Sequence, residues 1–213
     1  MIKMTNEIAK KAWKAEWAIA ENIEATASPI GKFLRRQRLR HVKHILETFN
    51  KNITLIDMGC GAGSTLKVLR NLGFKNSIGI DYIAQALIRC EALGFKIGTD
   101  VFNMDAVATT YEDKHFDMVF EEGLWEHFED PEPFVIEAAR IAKTWMLIIQ
   151  PNHFTPLGAL LHWAWMKFGG GGVFEYSFHM NYFIKILNKE GFEMVDRRRD
   201  IFWAQDVVLF RRY

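Results

Sequence analysis

A glycine-rich turn beside an acidic residue is the part of this sequence best suited to chemistry. Asp57 lies at the end of an apolar run, and Gly59, Gly61 and Gly63 follow it before a helical stretch opens. Glycines in such a turn let a ligand approach the backbone and allow positive φ angles. A carboxylate at Asp57 would repel a pyrophosphate but attract a sulfonium or ammonium group. The turn is therefore predicted to hold a cationic cofactor.

Further acids follow the next three apolar runs. Asp81 ends the second, Asp105 follows the third, and Glu121 and Glu122 end the fourth. The carboxyl ends of parallel strands meet in one crevice, so we expect that crevice to be rimmed with acids. Asp81 also follows Gly59 at close to the ~20-residue interval at which an acid meets ribose hydroxyls in nucleotide-binding βαβ units.

A sheet is needed to bring these residues together, and the sequence from Ile53 onward has the pattern of one. Short apolar runs alternate with helical stretches, which is typical of an α/β fold. The predicted strands are Ile53 to Met58, Ser77 to Ile80, Ile97 to Phe102, Phe116 to Phe120, Trp145 to Ile149, Glu193 to Arg198 and Asp206 to Arg211. The predicted helices start near Gly63, Ile83, Glu132 and Pro156, with a last one over Asn181 to Lys189. The two final strands are expected to pair as an antiparallel hairpin.

Two helices are predicted before the first strand. Thr5 is a candidate N-cap of the first helix, and Ser28 with Pro29 starts the second. This pair either closes the crevice or packs on one face of the sheet. Trp13 and Trp17 in the first helix are interpreted as packing residues.

In these features the sequence resembles the class I S-adenosylmethionine-dependent methyltransferases, especially the small-molecule methyltransferases. The resemblance is carried by Asp57 to Gly63, Gly79 to Asp81, Asn103 to Ala106, Phe116 to Phe128, Asp130 to Pro133 and Gln150 to Asn152. It implies a Rossmann-like, doubly wound seven-stranded sheet with an antiparallel last strand, preceded by the N-terminal helical pair. Residues 1–50 would then form a helical cap and residues 51–213 the methyltransferase domain.

The resemblance also implies S-adenosyl-L-methionine as cofactor and a role for each matching residue. The glycines would lie beside its methionyl and ribose parts, Asp81 on the ribose hydroxyls, Tyr82 against adenine, and Asp105 with Ala106 on the adenine edge. The whole predicted cofactor set is Asp57, Gly59, Cys60, Gly61, Gly63, Asp81, Tyr82, Asp105, Ala106, Glu121 and Glu122. Two positions depart from the family pattern. Met104 occupies a position where glycine is common, and Glu122 occupies one where a small or polar residue is common.

Methyl transfer from a sulfonium is an in-line displacement, so the protein mainly positions the reactants and excludes water. A general base is needed only where the acceptor arrives protonated. Glu126 and His127 are the best placed candidates, with structural hydrogen bonding as the alternative reading of that pair. His153 and His179 flank the acceptor-side segment and are further candidates. No metal site is predicted.

Residues 152–179 form an insertion rich in apolar and aromatic residues, which could start a helix at Thr155 and Pro156 and ends in Gly169 to Gly172. We interpret it as an acceptor-side insertion or hinged lid over a small hydrophobic or aromatic molecule. Contact with a membrane surface, and packing in the core or a dimer, stay open as alternatives.

Other functions make different predictions. Arg35 to Lys43 is a concentrated basic stretch that is either the solvated face of a helix or a surface with which an RNA or protein methyltransferase would recognise its substrate. A nicotinamide-dependent oxidoreductase is disfavoured by the charge of Asp57 beside a bound pyrophosphate.

Composition limits the class of protein further. The chain has 213 residues, 49% of them hydrophobic and 25% charged, which is the balance of a globular protein. Its net charge of +1 provides no overall field for nucleic acid or an anionic membrane. Two cysteines without metal or redox spacing favour a reducing compartment, and no apolar run approaches the ~20 residues of a bilayer span. We expect a cytoplasmic monomer or homodimer whose partner is a small-molecule acceptor rather than nucleic acid.

Overall fold

A computed structural model of the chain describes residues 6–19, 29–168, 174–200 and 203–213. Helices and strands alternate along most of this length. In chain order they are α1 Asn6–Ile19, α2 Pro29–Leu46, β1 Leu55–Met58, α3 Ser64–Asn71, β2 Ser77–Asp81, α4 Ala84–Ala92, β3 Val101–Asn103, β4 Phe116–Glu122, a 3₁₀ turn Trp125–His127, α5 Glu132–Ile141, β5 Ala142–Pro151, α6 Pro156–Phe168, α7 Met180–Lys189, β6 Phe192–Arg199 and β7 Gln205–Arg212.

The strands form one seven-stranded sheet in the order β3-β2-β1-β4-β5-β7-β6. β1 to β5 run parallel, and β7 lies antiparallel between β5 and β6. This is the sheet that the resemblance implies, so the predicted fold class is confirmed. The strand order reverses between β1 and β4, where Met58 pairs with Glu121, and a ligand crevice is expected beyond their carboxyl ends.

Both faces of the sheet are covered, which explains why β1 is buried along its whole length and, apart from Asp57, apolar. Ile56 and Met58 pack on one face with Phe134 of α5 and Phe183 of α7. On the other face, α2 contributes Leu46 to a second apolar cluster. The central strands are thereby fixed on both sides, and the loops at their carboxyl ends stand on a rigid base.

The start of the third strand differs from its predicted position. The third strand begins at Val101 rather than Ile97, because the backbone N–H groups of Lys96 and Asp100 bond within the segment: Lys96 N donates to Asp100 Oδ2 at 2.9 Å, and Asp100 N to the Lys96 carbonyl at 2.8 Å. The predicted caps Thr5 and Ser28 lie outside the described residues. Within the described part of the chain, no helix has both the length and the apolar character needed to cross a membrane.

Candidate active site

Two adjoining cavities open beyond the carboxyl ends of the central strands. The larger, here called the cleft, has a volume of about 620 Å³, and the smaller, here called the inner cavity, about 200 Å³. Trp17, Gly59, Gly61 and Gly123 line both of them. The glycine turn predicted from the sequence therefore lies at the junction between two ligand-sized spaces.

The turn has the backbone geometry for which glycine is required. Gly59 has a φ of +75°, and a Cβ there would lie 3.0 Å from the Leu124 side chain. Gly61 has a φ of +52°, and its Cβ would lie 3.4 Å from the Trp17 ring. Any larger residue would be strained and would fill space at the cavity junction.

Asp81 ties the turn to the following loop. Gly61 N donates to Asp81 Oδ2 at 2.9 Å, and Ile83 N donates to Oδ1 at 2.7 Å. Burial raises the pKa of Asp81 to about 6, and these two backbone hydrogen bonds act in the opposite direction. The carboxylate lines the inner cavity, which is where the sequence places the ribose-binding acid.

Helix α1 forms the outer wall of the inner cavity. Lys10 Nζ pairs with the Asp105 carboxylate, and Lys14 Nζ lies 4.4 Å from the centre of the Tyr82 ring. Lys10, Trp13 and Trp17 line the cavity together with the predicted residues Asp81, Tyr82, Asp105 and Ala106. Of the two readings of the N-terminal helices, closure of the crevice fits α1.

Sequence reasoning missed Lys10, Trp13 and Trp17 as cavity residues. Their spacing of three and four positions places them on one face of α1, which indicates a shared contact but not its target. That target lies far along the chain, as shown by the hydrogen bond from Arg89 to the Trp17 carbonyl at 3.1 Å.

Asp57 lines the cleft and is 2% exposed. Its Oδ2 atom is buried and has no hydrogen-bond partner among the described residues. Burial raises the pKa of Asp57 well above its ordinary value, and the nearby acids Glu122, Glu121 and Asp81 raise it further. The site therefore holds an uncompensated carboxylate, which is the environment that a cationic ligand would relieve.

The two acids at the end of β4 lie in different environments. Glu121 is below the cavity walls, where its carboxylate accepts hydrogen bonds from Leu124 N at 2.7 Å and Gln150 Nε2 at 2.8 Å. Burial raises its pKa to about 8. Glu122 lines the cleft and accepts a hydrogen bond from Thr65 Oγ1 at 2.6 Å. Glu121 is thus placed to hold the loop, whereas Glu122 is placed to meet a ligand.

The basic stretch of α2 faces two directions. Arg38 forms an ion pair with Glu122, and Arg35 donates to Ser64 Oγ at 3.1 Å, so both line the cleft. Arg36, Arg40 and Lys43 line a groove on the outside of the helix. The reading of the whole stretch as a solvated face is therefore wrong for Arg38, whose side chain is 17% exposed.

The structure separates Glu126 from His127. Glu126 lines the cleft, its Oε2 atom is buried without a partner among the described residues, and burial raises its pKa well above the ordinary value. His127 lines the inner cavity, with Nδ1 3.0 Å from the carbonyl oxygen of Phe174 and its ring edge-on to Trp13. Burial lowers the pKa of His127.

Gly63 and Cys60 complete the set predicted from the sequence. Cys60 lines the cleft. Gly63 lies behind the turn, where a Cβ would come within 3.0 Å of Cys90 Sγ. Its contribution is close packing of the turn against α4.

Most of the described cavity-lining residues in the insertion, residues 152–179, lie outside the cleft. Among its described residues, Glu175 lines the cleft, whereas Phe154, Thr155, Phe178 and His179 line a separate depression of about 230 Å³. The described wall of the cleft includes arginines and acids from α2, β4 and the loops, so it offers an acceptor charged groups as well as apolar surface.

Residues 56–145 match the family model of a methyltransferase domain. Ajmaline N-methyltransferase of Rauvolfia serpentina is 34% identical over 105 residues, which is 46% of this chain and 35% of that protein. The chain thus spans about a third of the length of this curated relative. Residues 56–145 contain the glycine turn and the carboxyl ends of β1, β2 and β4, which line the two cavities.

Solved structures have the same fold over nearly the whole chain. Magnesium protoporphyrin IX methyltransferase (ChlM) of Synechocystis PCC 6803, with bound SAH, has a TM-score of 0.67 and 17% identity and covers 98% of this chain and 95% of its own. A SAM-dependent methyltransferase of Thermotoga maritima has a TM-score of 0.66 and 18% identity, and covers 85% of this chain and 91% of its own. Together with the domain match, this confirms the family resemblance expected from the sequence.

Proposed function

We propose that this chain, which carries a class I S-adenosylmethionine-dependent methyltransferase domain, transfers a methyl group to a small molecule bound in the cleft. The observation that carries the proposal is the buried Oδ2 atom of Asp57 at the glycine turn, to which none of the described residues donates a hydrogen bond. A dinucleotide would place its phosphates beside this charge, whereas a sulfonium cofactor with an α-ammonium group would neutralise it.

The described residues fit this cofactor. The inner cavity combines an aromatic ring at Tyr82, a carboxylate at Asp81 and an acid at Asp105, which are the contacts that adenine and ribose use. The glycine turn leads from there to Asp57, the partner that we propose for the ammonium group. When bound, S-adenosylmethionine supplies an electrophilic methyl group. The protein then has to align the acceptor with it and to exclude water, and α1 closes the inner cavity for this purpose.

The acceptor is proposed to be a small molecule with both apolar and polar parts. A cleft of about 620 Å³ is in the range of small-molecule sites. The names of ajmaline N-methyltransferase and magnesium protoporphyrin IX methyltransferase also refer to small acceptors. Arg35, Arg38 and the acids of the cleft would bind the polar part, which refines the hydrophobic or aromatic acceptor expected from the sequence.

We further propose that residues 51–213 act as the transferase domain of a cytoplasmic protein, as a monomer or homodimer. Cys60 and Cys90 support a reducing compartment, because both are free and buried. Each thiol also packs against a glycine of the cofactor region, Gly79 and Gly63 respectively, so both have a structural reason to stay reduced.

The cofactor assignment is tested by calorimetric titration with S-adenosylmethionine, S-adenosylhomocysteine and NADH. We expect saturable binding of the first two and none of NADH. Asp81→Asn should weaken binding by roughly 10-fold or more, because a hydrogen bond to a charged group contributes about 1.5–3 kcal/mol. Asp117→Asn is the matched control, since Asp117 lies at the opposite end of β4 and bonds to Thr54. Binding of NADH alone would overturn the proposal.

The pH dependence of the same titration follows from the raised pKa of Asp81. The ionised carboxylate accepts ribose hydroxyls best, so affinity should fall about 10-fold per pH unit below 6 and level off above. The contribution of Asp81 to the free energy of unfolding changes with pH in the opposite direction. Because the pKa of Asp81 is higher in the folded than in the unfolded protein, this contribution is complete below pH ~4 and is lost as the pH rises through 6. A cofactor affinity that is flat from pH 5 to 8 would contradict the role of Asp81.

Glu126 is the proposed general base, and His127 is proposed to position the loop at the inner cavity. With an acceptor that the wild-type protein turns over, Glu126→Gln should lower kcat by roughly 10²- to 10⁴-fold and leave cofactor affinity unchanged. His127→Gln should instead weaken cofactor binding, since this ring lines the inner cavity and packs on Trp13. Equal effects of the two substitutions on both quantities would contradict this division.

A further inference from the structure

Three side chains from separate segments converge beside the cleft. His153 follows β5, His162 lies in α6, and Glu175 lies in the segment before α7. One nitrogen of each ring and one carboxylate oxygen all lie within 4.8 Å of one another. His153 Nε2 is 3.5 Å from Glu175 Oε2, and His162 Nδ1 is 3.6 Å from the same oxygen. Both separations are within ion-pair distance, and the centroids of the two imidazole rings lie 4.0 Å apart.

The three side chains of the cluster are largely shielded from solvent. The side chains of His153, His162 and Glu175 are 7%, 22% and 19% exposed, respectively. The Nδ1 atom of His162 is buried and has no hydrogen-bond partner among the described residues. The Glu175 carboxylate in such a place needs a positive charge beside it, which either a protonated imidazole or a bound metal cation would supply.

The ring of His153 is held on its other side by Ser177. Its Nδ1 atom lies 2.9 Å from Ser177 Oγ. A proton on Nδ1, donated to that hydroxyl, leaves the lone pair of Nε2 directed toward the cluster. Metal-binding histidines are commonly held in this way by a hydrogen bond at the nitrogen that does not bind the metal.

We propose that His153, His162 and Glu175 bind a divalent transition metal ion, with Zn²⁺ as the best match. Two imidazoles and one carboxylate are a zinc ligand set that leaves a fourth position for water or a ligand. Bond lengths of about 2.0–2.1 Å in a tetrahedral site put ligand atoms ~3.3 Å apart. The two His–Glu separations of 3.5 and 3.6 Å are close to this value, and the ring nitrogens, which lie within 4.8 Å of each other, would move together on binding. Mg²⁺ is excluded by the imidazole ligands, because it prefers oxygen.

A metal ion at this position would link three segments of the chain. The metal would join the end of β5, helix α6 and the segment that carries Glu175, and Glu175 also lines the cleft. Metal binding would therefore fix the acceptor-side insertion against the cleft. This inference goes beyond the proposed transferase function and does not depend on it, since its readout is metal binding.

The test uses the full chain after treatment with a chelator, titrated calorimetrically with Zn²⁺ and with Co²⁺, whose absorption reports four-coordinate geometry. We expect one ion per chain. His162→Gln should weaken binding by roughly 100-fold or more, and Ser177→Ala, which removes only the hydroxyl beside His153 Nδ1, by roughly 10-fold. Hydrogen exchange of the α6 amides should slow when Zn²⁺ is added to the wild-type protein.

His179→Gln is the matched control, because His179 lies in the same region but stacks on Phe154 outside the cluster. It should bind Zn²⁺ like the wild-type protein. Circular dichroism of all variants without metal shows whether they are folded. Absence of Zn²⁺ binding to the wild-type protein, or equal affinity of His162→Gln and His179→Gln, would overturn the proposal. Cofactor titrations of the metal-free chain show separately whether the transferase assignment stands.

Discussion

Asp57→Asn should weaken S-adenosylmethionine binding by roughly 10- to 100-fold while the protein stays as stable as before or becomes more stable. The loss follows from the charge: the carboxylate is the proposed partner of the cofactor's cationic end, and a hydrogen bond to a charged group contributes about 1.5–3 kcal/mol. Asparagine has the same shape, so the cavity wall is preserved.

The stability part of this prediction comes from the surroundings of Asp57. Asp57 is 2% exposed, and its Oδ2 atom has no hydrogen-bond partner in the described part of the chain. Burial raises its pKa, and the charges of Glu122, Glu121 and Asp81 raise it further. Each pKa unit of such a shift costs the folded state about 1.4 kcal/mol at a pH where the group would otherwise be ionised. A neutral amide removes that cost. The free cofactor site is thus less stable than its neutral counterpart.

Asp100→Asn provides the comparison. Asp100 accepts hydrogen bonds from Arg70 Nη2 at 2.8 Å and Lys96 N at 2.9 Å, and it lines neither the cleft nor the inner cavity. Loss of its charge should lower the free energy of unfolding and leave cofactor affinity unchanged, which is the reverse of the pattern at Asp57. Urea unfolding and calorimetric titration of the three proteins measure both quantities. If Asp57→Asn unfolds at lower urea and binds normally, Asp57 has a structural role.

The sequence predicts the sheet and the glycine turn well because both depend on short-range patterns. The alternation of apolar runs with helical stretches places every strand, and the strand ends then bring Asp57, Asp81 and Asp105 to one edge of the sheet. The third strand is predicted too early because Ile97 is apolar, and its preceding turn depends on the carboxylate of Asp100. Pattern alone gives no information on that side-chain contact.

Contacts between distant segments were not predictable in the same way. The face of α1 that carries Trp17 and Lys10 can be recognised from its spacing, but not that it packs over the inner cavity. His153, His162 and Glu175 come from three segments, and their convergence depends on how α6 folds back. The direction of Arg38 within the basic stretch likewise depends on the rotation of α2 against the sheet, which the charge pattern does not determine.

Arg38→Met is expected to lower the free energy of unfolding by about 3 kcal/mol, because it leaves Glu122 charged and unpaired. The two side chains are 17% and 12% exposed, so their ion pair is largely shielded from solvent. Removal of one partner from a buried pair typically costs about 3–5 kcal/mol, whereas replacement of both by neutral groups is often tolerated. Asp57 adds to the cost, since it already interacts unfavourably with Glu122.

The double variant Arg38→Met with Glu122→Gln should therefore recover most of the lost stability. Glutamine can still accept the hydrogen bond from Thr65 Oγ1, which is 2.6 Å long in the native protein, and it carries no charge beside Asp57. Arg36→Met controls for the loss of a basic residue from α2, because Arg36 lines the outer groove and its replacement should change stability by less than about 0.5 kcal/mol.

Urea unfolding of the four proteins at one pH measures these differences. If the single and double variants are equally destabilised, the aliphatic part of Arg38 rather than its charge holds α2 on the sheet. If Arg38→Met is as stable as Arg36→Met, the ion pair with Glu122 does not persist in solution. In that case Glu122 is already free in the wild-type protein to add to the negative charge that Asp57 presents to a cationic cofactor, and Arg38→Met should change the affinity for S-adenosylmethionine little.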